Sequence, residues 1–430
     1  MKKGLIQNIR DSVGDGFDEQ VAFTKELVKF ASLRGKEAPA QNFFAEALAD
    51  RGYAVDHWQV NPQEVAHFPD FAPARNSFEQ GWNVVGTHRP RESTGRSLIL
   101  NGHIDVVPSG PEDMWKKPPF EPHIDQGWLY GRGAGDMKAG LAANIFAVQA
   151  LKRIGYQPAA GIYLQSVIEE ESSGIGTLAC IERGYQADAV IVTEPHAEKL
   201  GVAQVGVIWL QIEIRGLSAH VMEAGKGINA IEVCYPIMEA LHKLESKWNA
   251  DKHPAFGKLD HPLNFVVSRI EGGDWTSSVP SWCRFDVRVG IYPDRKVADC
   301  QRELEETISA AANKDAFLRN NPPRITYHGF LSRGYVLPGN TDAEQVLREA
   351  HYQINQVELA QHVSTALNDA RFFGLYQNIP AMTYGPQSEN IHGFDERVNL
   401  DSLCRVTQTI ALFVAEWCGL EAIEDNPGTV

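Results

Sequence analysis

Residues Ser97–Pro108 read SLILNGHIDVVP. The first four residues have the character of a buried strand, and they run into Asn-Gly. His103 and Asp105 follow, separated by one isoleucine. In an extended segment, side chains at i and i+2 point to one face. A core does not accept an imidazole and a carboxylate on the same side unless something compensates their polarity. A metal ion at the end of the strand is the compensation to which this stretch points.

Other segments repeat the pattern. The apolar run GIYLQSVI ends in Glu169, Glu170 and Glu171, and ADAVIVT ends in Glu194. IPAMTYGP leads through a short loop to His392, and GRGAGD sets Asp136 at the start of the helix MKAGLAANIFAVQALKRIG. In open α/β sheets ligands sit outside the carboxyl ends of the strands. These chain ends therefore deliver carboxylates and imidazoles to one rim. Clustered buried carboxylates repel one another, and a divalent cation removes that cost. Histidines with several carboxylates suit zinc, with cobalt or manganese possible. Two metals about 3.5–4 Å apart, bridged by a carboxylate and a water, form a hydrolytic arrangement. A carboxylate beyond the ligand count is then the general base.

Taken singly, each piece has a plainer reading. A lone His103 is a core or loop histidine, three glutamates are a solvated face, and GRGAGD is a turn. The dinucleotide pattern fails because Asp136 stands where its third glycine would be, and GLSAH (Gly216–His220) lacks the last glycine of GxSxG. Co-occurrence in order, at strand ends, separates the metal reading from the plain ones.

The 430 residues exceed one ordinary core and suit two domains. The net charge of −15, with no basic run, excludes nucleic acid and anionic membranes as partners and leaves a small-molecule substrate. The N-terminal stretch has no apolar core of a signal peptide, and no apolar window of about 18 residues exists. Six scattered cysteines without CxxC read as reduced core residues, which fits a cytoplasmic location.

Apolar strands alternating with helices predict an α/β domain with a largely parallel sheet, formed by 1–205 plus 334–430. Residues 17–52 look helical, and 61–80 look irregular. Between 206 and 333 the order β-α-β-β-α-β, with half-exposed alternating strands, predicts an inserted ferredoxin-like α+β lid or dimerisation domain.

In combination these motifs resemble the co-catalytic metallohydrolases that include acetylornithine deacetylase, succinyl-diaminopimelate desuccinylase, aminoacylase and the glutamate carboxypeptidases. NGHIDVVP is similar to the family's GHxDVVP. GRGAGDMKAG, IEEESSGIGT, VTEP and ENIHGFDERV match its later motifs in order. The resemblance covers nearly the whole chain and implies two divalent ions per chain. His103 and Glu194 would hold one, Glu171 and His392 the other, and Asp136 would bridge them. Asp105 would orient the His103 ring. Glu170 would be the general base of amide hydrolysis by a metal-activated water. Counting back from Gly174 gives that register, and a one-residue slip would give Glu169 and Glu170 instead.

GLSAH resembles the lid motif whose histidine reaches an active site, in dimeric members that of the other subunit. His220 would then donate to the oxyanion, and a homodimer is expected. Arg288 and Arg371 sit where the family binds the substrate carboxylate. Ser278 stands where many members have asparagine. The implied substrate is a small N-acylated amino acid, as for acetylornithine deacetylase. Dipeptidase or carboxypeptidase activity, or hydrolysis of a formylated heterocycle or aromatic amine, are the alternatives. A non-catalytic binding module would have no need of Glu170.

Overall fold

The structure is a computed structural model, and it describes residues 2–423. Its centre is the strand Leu98–His103, buried at every position. Ile162–Val167 and Ala189–Val192 flank it in parallel, and Ala381–Thr383 adds a further parallel strand beside Ala189–Val192. Toward the edges the pairing turns antiparallel, through Trp82–His88 and Ala54–Gln59 on one side and Leu200–Gln204 on the other. The sheet is thus mixed, with the parallel strands where the chelating residues emerge.

Alternation puts the two faces of Leu98–His103 into separate cores. Leu98 and Leu100 join the large cluster that also holds Phe146, Ile410 and Phe413 from the helices Ala139–Arg153 and Leu400–Trp417. Ile99 joins a second cluster with Val190, Val192 and Phe373. Burial on both faces is why these strands read as continuous apolar runs. The helices Phe17–Lys29 and Ala38–Asp50 lie where the spacing predicts them, and Lys3–Asp15 forms a further helix ahead of them.

Residues beyond 205 build a second, antiparallel sheet. Its strand order is Phe265–Gly272, Trp282–Ile291, Gly206–Arg215 and Arg324–Ser332. The helices Tyr235–Ala250 and Val297–Ala312 contribute Ile237, Leu241, Leu304 and Ile308 to a core of its own. Along Gly206–Arg215, Leu210, Ile212 and Ile214 are buried while Trp209, Gln211 and Glu213 are half-buried, so one face is packed and the other open. The chain enters and leaves this sheet at one place. A Cβ on Gly206 would lie 2.4 Å from the Ser332 carbonyl oxygen, and one on Gly334 would lie 2.5 Å from that of Gln204. Only glycine permits backbones this close.

Candidate metal centre and active site

His103 ends its strand with the ring fully buried. Its Nδ1 donates to the Asp105 backbone carbonyl at 2.8 Å, which turns Nε2 outward. Nε2 lies 3.1 Å from Asp136, 3.8 Å from Glu194 and 3.9 Å from Glu170. The Asp105 carboxylate is farther from the ring, 3.7 Å from Nδ1. It accepts the backbone N–H groups of Glu170 and Glu171, each at 3.2 Å. Asp105 thus meets the histidine through its main chain and the glutamate loop through its side chain. Burial pushes its carboxyl up to about 8.

Asp136 does not open the helix directly, as its position ahead of MKAGL suggested. The helix starts at Ala139, and Asp136 lies in a kinked turn with φ −116° and ψ 95°. That turn places its carboxylate between two imidazoles, 3.1 Å from His103 and 3.3 Å from His392. His392 is half-exposed, has φ +61° and stands 3.0 Å from Glu171. Two sets of donor atoms each gather within 4.8 Å, His103–Asp136–Glu171 and His103–Glu170–Glu194.

The three consecutive glutamates divide. Glu169 is fully buried at φ +62° and turns away from the rim, toward Arg75 at 3.1 Å and the Ser173 hydroxyl at 2.9 Å. Arg75 also pairs with buried Glu37 at 3.0 Å. A buried charge requires such a partner. Glu170 and Glu171 are left facing the histidines.

The charge balance at the rim calls for a cation. Burial raises Glu170 well above the carboxylate range, with Glu194 adding to it, and burial also raises Glu194, with Asp136 adding. Burial opposes a charged His103, but the Asp136 hydrogen bond and the charges of Glu194, Asp105 and Glu170 outweigh it and hold the ring well above its usual value. Glu171 chiefly, against burial and with Asp136, raises His392 to about 11. Burial works against ionised Asp136, yet hydrogen bonds from His103 and His392 hold it below its usual value. Glu170 Oε1 is buried with no hydrogen-bond partner. Imidazoles with clustered carboxylates and an orphaned buried oxygen fit divalent metal ions.

His220, Ser278 and Arg288 belong to the segment that builds the second sheet. His220 is exposed, and its Nδ1 accepts the Met222 N–H at 3.1 Å. A β-bridge joins it to Ser278. No hydrogen bond or ion pair links either one to the His103 cluster among the described residues. Arg288 spans the two sheets' regions, donating to Asn264 O at 3.3 Å and Thr365 O at 2.8 Å. Burial lowers it to about 10.

Arg371 is fully buried, 3.5 Å from buried Asp369 and over the Phe372 ring at 4.0 Å, and its Nε and Nη2 have no hydrogen-bond partner. Its place is beneath the glutamate loop, where a Cβ on Gly174 would lie 2.8 Å from its Nη2.

Sequence reasoning also passed over Glu396, Arg75 and Asp369. Glu396 looks like a solvated acid in FDERV but is fully buried against the Asp136 turn. Arg75 lies in a stretch with no periodic signal. Asp369, two residues before Arg371, accepts the Thr177 hydroxyl at 2.6 Å under the rim.

An α/β sheet whose strand ends converge imidazoles and carboxylates in this way belongs to the metal-dependent hydrolases. The fold is similar to that of the di-peptidase Dug1p from Saccharomyces cerevisiae, with TM-score 0.80 and 15% identity over 96% of this chain and 98% of that one. Residues 99–416 match Peptidase family M20/M25/M40, and the chain belongs to that family. It is 30% identical to an N-formyl-4-amino-5-aminomethyl-2-methylpyrimidine deformylase of Halalkalibacterium halodurans, over 97% of this chain and 99% of the relative. It is also 30% identical to a succinyl-diaminopimelate desuccinylase of Halorhodospira halophila, over 88% of this chain and 93% of the relative. The chain is accordingly a metal-dependent amidohydrolase.

Proposed function

We propose that the chain removes a short acyl group, formyl foremost, from the nitrogen of a small amine or heterocycle. The observation that carries hydrolysis is Glu170. It is a buried carboxylate 3.9 Å from His103 Nε2, gathered with His103 and Glu194, and it is the one left over when Asp136, Glu171 and Glu194 are taken as the carboxylate ligands. His103 and Glu194 would hold one cation, Glu171 and His392 another, and Asp136 would be shared between them. Such cations would supply Lewis-acid polarisation of the amide carbonyl and a nucleophile at neutral pH. Zinc suits the donor set best. Glu170 takes a proton from the attacking water and passes it to the departing nitrogen. His220 donates to the developing oxyanion. Asp105 keeps the Glu170–Glu171 backbone fixed while this happens.

Two observations favour a formamide over an acyl amino acid. The deformylase relative matches end to end. Both terminal nitrogens of Arg288 already serve backbone carbonyls, so its grip on a substrate carboxylate is reduced. Ser278, bridged to His220, would meet the substrate through a hydroxyl.

His220 reaches a rim by assembly in this reading, in a homodimer through the second sheet. The exposed Val266 and Ile270 on its edge strand, and Met222 and Trp275 near His220, support that. The free thiols agree with a cytoplasmic enzyme. The test is a panel of formyl, acetyl and succinyl amides and dipeptides, given to the stripped protein with and without zinc, manganese or cobalt. Metal-dependent release of amine from the formamides is expected. Release from the succinyl or peptide substrates alone would reassign the acyl group.

A further inference from the structure

The turn that presents Asp136 is built around a carboxylate with no place in the chemistry above. Glu396 is fully buried. Its Oε2 accepts the Gly133 N–H at 3.0 Å, and its Oε1 accepts those of Gly135 at 2.9 Å and of Asp136 itself at 3.0 Å. Arg132 Nη1 donates to Oε2 at 2.5 Å. Converging backbone N–H groups of this kind form an anion seat. The seat requires the turn's unusual shape, since Gly133 has φ +81° and a Cβ on Gly135 would lie 2.8 Å from Ser388 Cβ.

The same carboxylate is tied to the second imidazole. Glu396 follows His392 by four residues, and Arg132 closes the intervening loop by donating to Gly393 O at 3.0 Å. The Gly131 N–H donates to the Glu396 carbonyl at 3.0 Å, and Arg397–Asn399 continues as a strand against Trp128–Tyr130. One side chain thereby locks the turn carrying Asp136 to the loop carrying His392.

We propose that Glu396 is a positioning residue of the metal centre, setting Asp136 between His103 and His392 and fixing the spacing of the two cation positions. The inference rests on the metal reading above. A buried ion pair serving stability alone would need Arg132 as partner. It would have no use for the amide of the bridging residue.

The test uses the full-length protein, stripped and titrated with Co(II), as wild type, Glu396→Gln and Glu396→Ala. Asp395→Asn is the control, since Asp395 pairs with the exposed Lys116. Three quantities are read: cobalt affinity against a competing chelator, the visible cobalt spectrum, and thermal unfolding of the metal-free protein. Loss of partners that orient metal ligands weakens binding by about 10–100-fold. That loss and an altered spectrum are expected for Glu396→Ala, and a smaller loss for Glu396→Gln, which keeps one oxygen in the seat. Asp395→Asn should match wild type. If Glu396→Ala does not fold, the isosteric glutamine variant decides. Wild-type affinity and spectrum in Glu396→Gln overturn the positioning role while leaving the metal reading intact. A wild-type chain that takes up no cobalt overturns both.

Discussion

The rim and the tip of the second sheet carry histidines of opposite kinds. His103 is locked in a buried network, its ring fixed by the Asp105 carbonyl and faced by Asp136, Glu170 and Glu194. His220 stands exposed beside Met222 at 86% and Trp275 at 73% exposure, and its ring accepts the local Met222 N–H. The first imidazole is held by partners on every side, and the second by one main-chain contact. In the function proposed above, chemistry that needs fixed distances would sit in the core and chemistry that needs closure on the surface.

The sharpest way to break this comparison is Glu170→Gln. Removing a general base should lower turnover by about 10²–10⁴-fold while leaving the metal content of the protein unchanged. Loss of metal by elemental analysis would mean that Glu170 is a ligand. Next is His220→Ala, with an expected drop of about 10²–10³-fold, as for loss of one oxyanion donor. Mixing the Glu170→Gln and His220→Ala chains sharpens it further. If the tip serves a partner's rim, mixed dimers regain part of the activity. If it folds back on its own rim, they regain none.

Removing metal should affect only one of the two regions. A ligand present at a thousand times its dissociation constant stabilises a fold by about 4 kcal/mol. Stripping should therefore lower the melting temperature of the rim's domain, read by calorimetry, and an unshifted transition would count against the centre. The smallest effect belongs to the tip. Trp275→Ala removes an exposed ring and should move stability by no more than about 0.5 kcal/mol. A larger loss in dilute, monomeric protein would show that the tip packs within its own chain.

What the sequence revealed follows the same division. Leu98–His103, Ile162–Val167 and Ala189–Val192 announced themselves because strands buried on both faces are continuously apolar and stop abruptly at polar rim residues. The β-α-β-β-α-β order of the second sheet was legible from alternation. Invisible were the contacts that charged side chains make far along the chain. Glu396 looks like a surface residue next to a motif, and it is fully buried against Arg132, a partner that no local pattern reveals. The helix start after Asp136 was misplaced because the kinked turn Ala134–Lys138 has no periodic signature.

The contact between Gly206 and Gly334 has a consequence for how such a chain changes over time. The segment between them leaves and returns where a Cβ on Gly206 would lie 2.6 Å from the Gly334 nitrogen. A stretch whose ends touch can be lengthened, trimmed or exchanged without moving the strands on either side. The tip can thus be remodelled as a cassette, while the rim keeps its spacing.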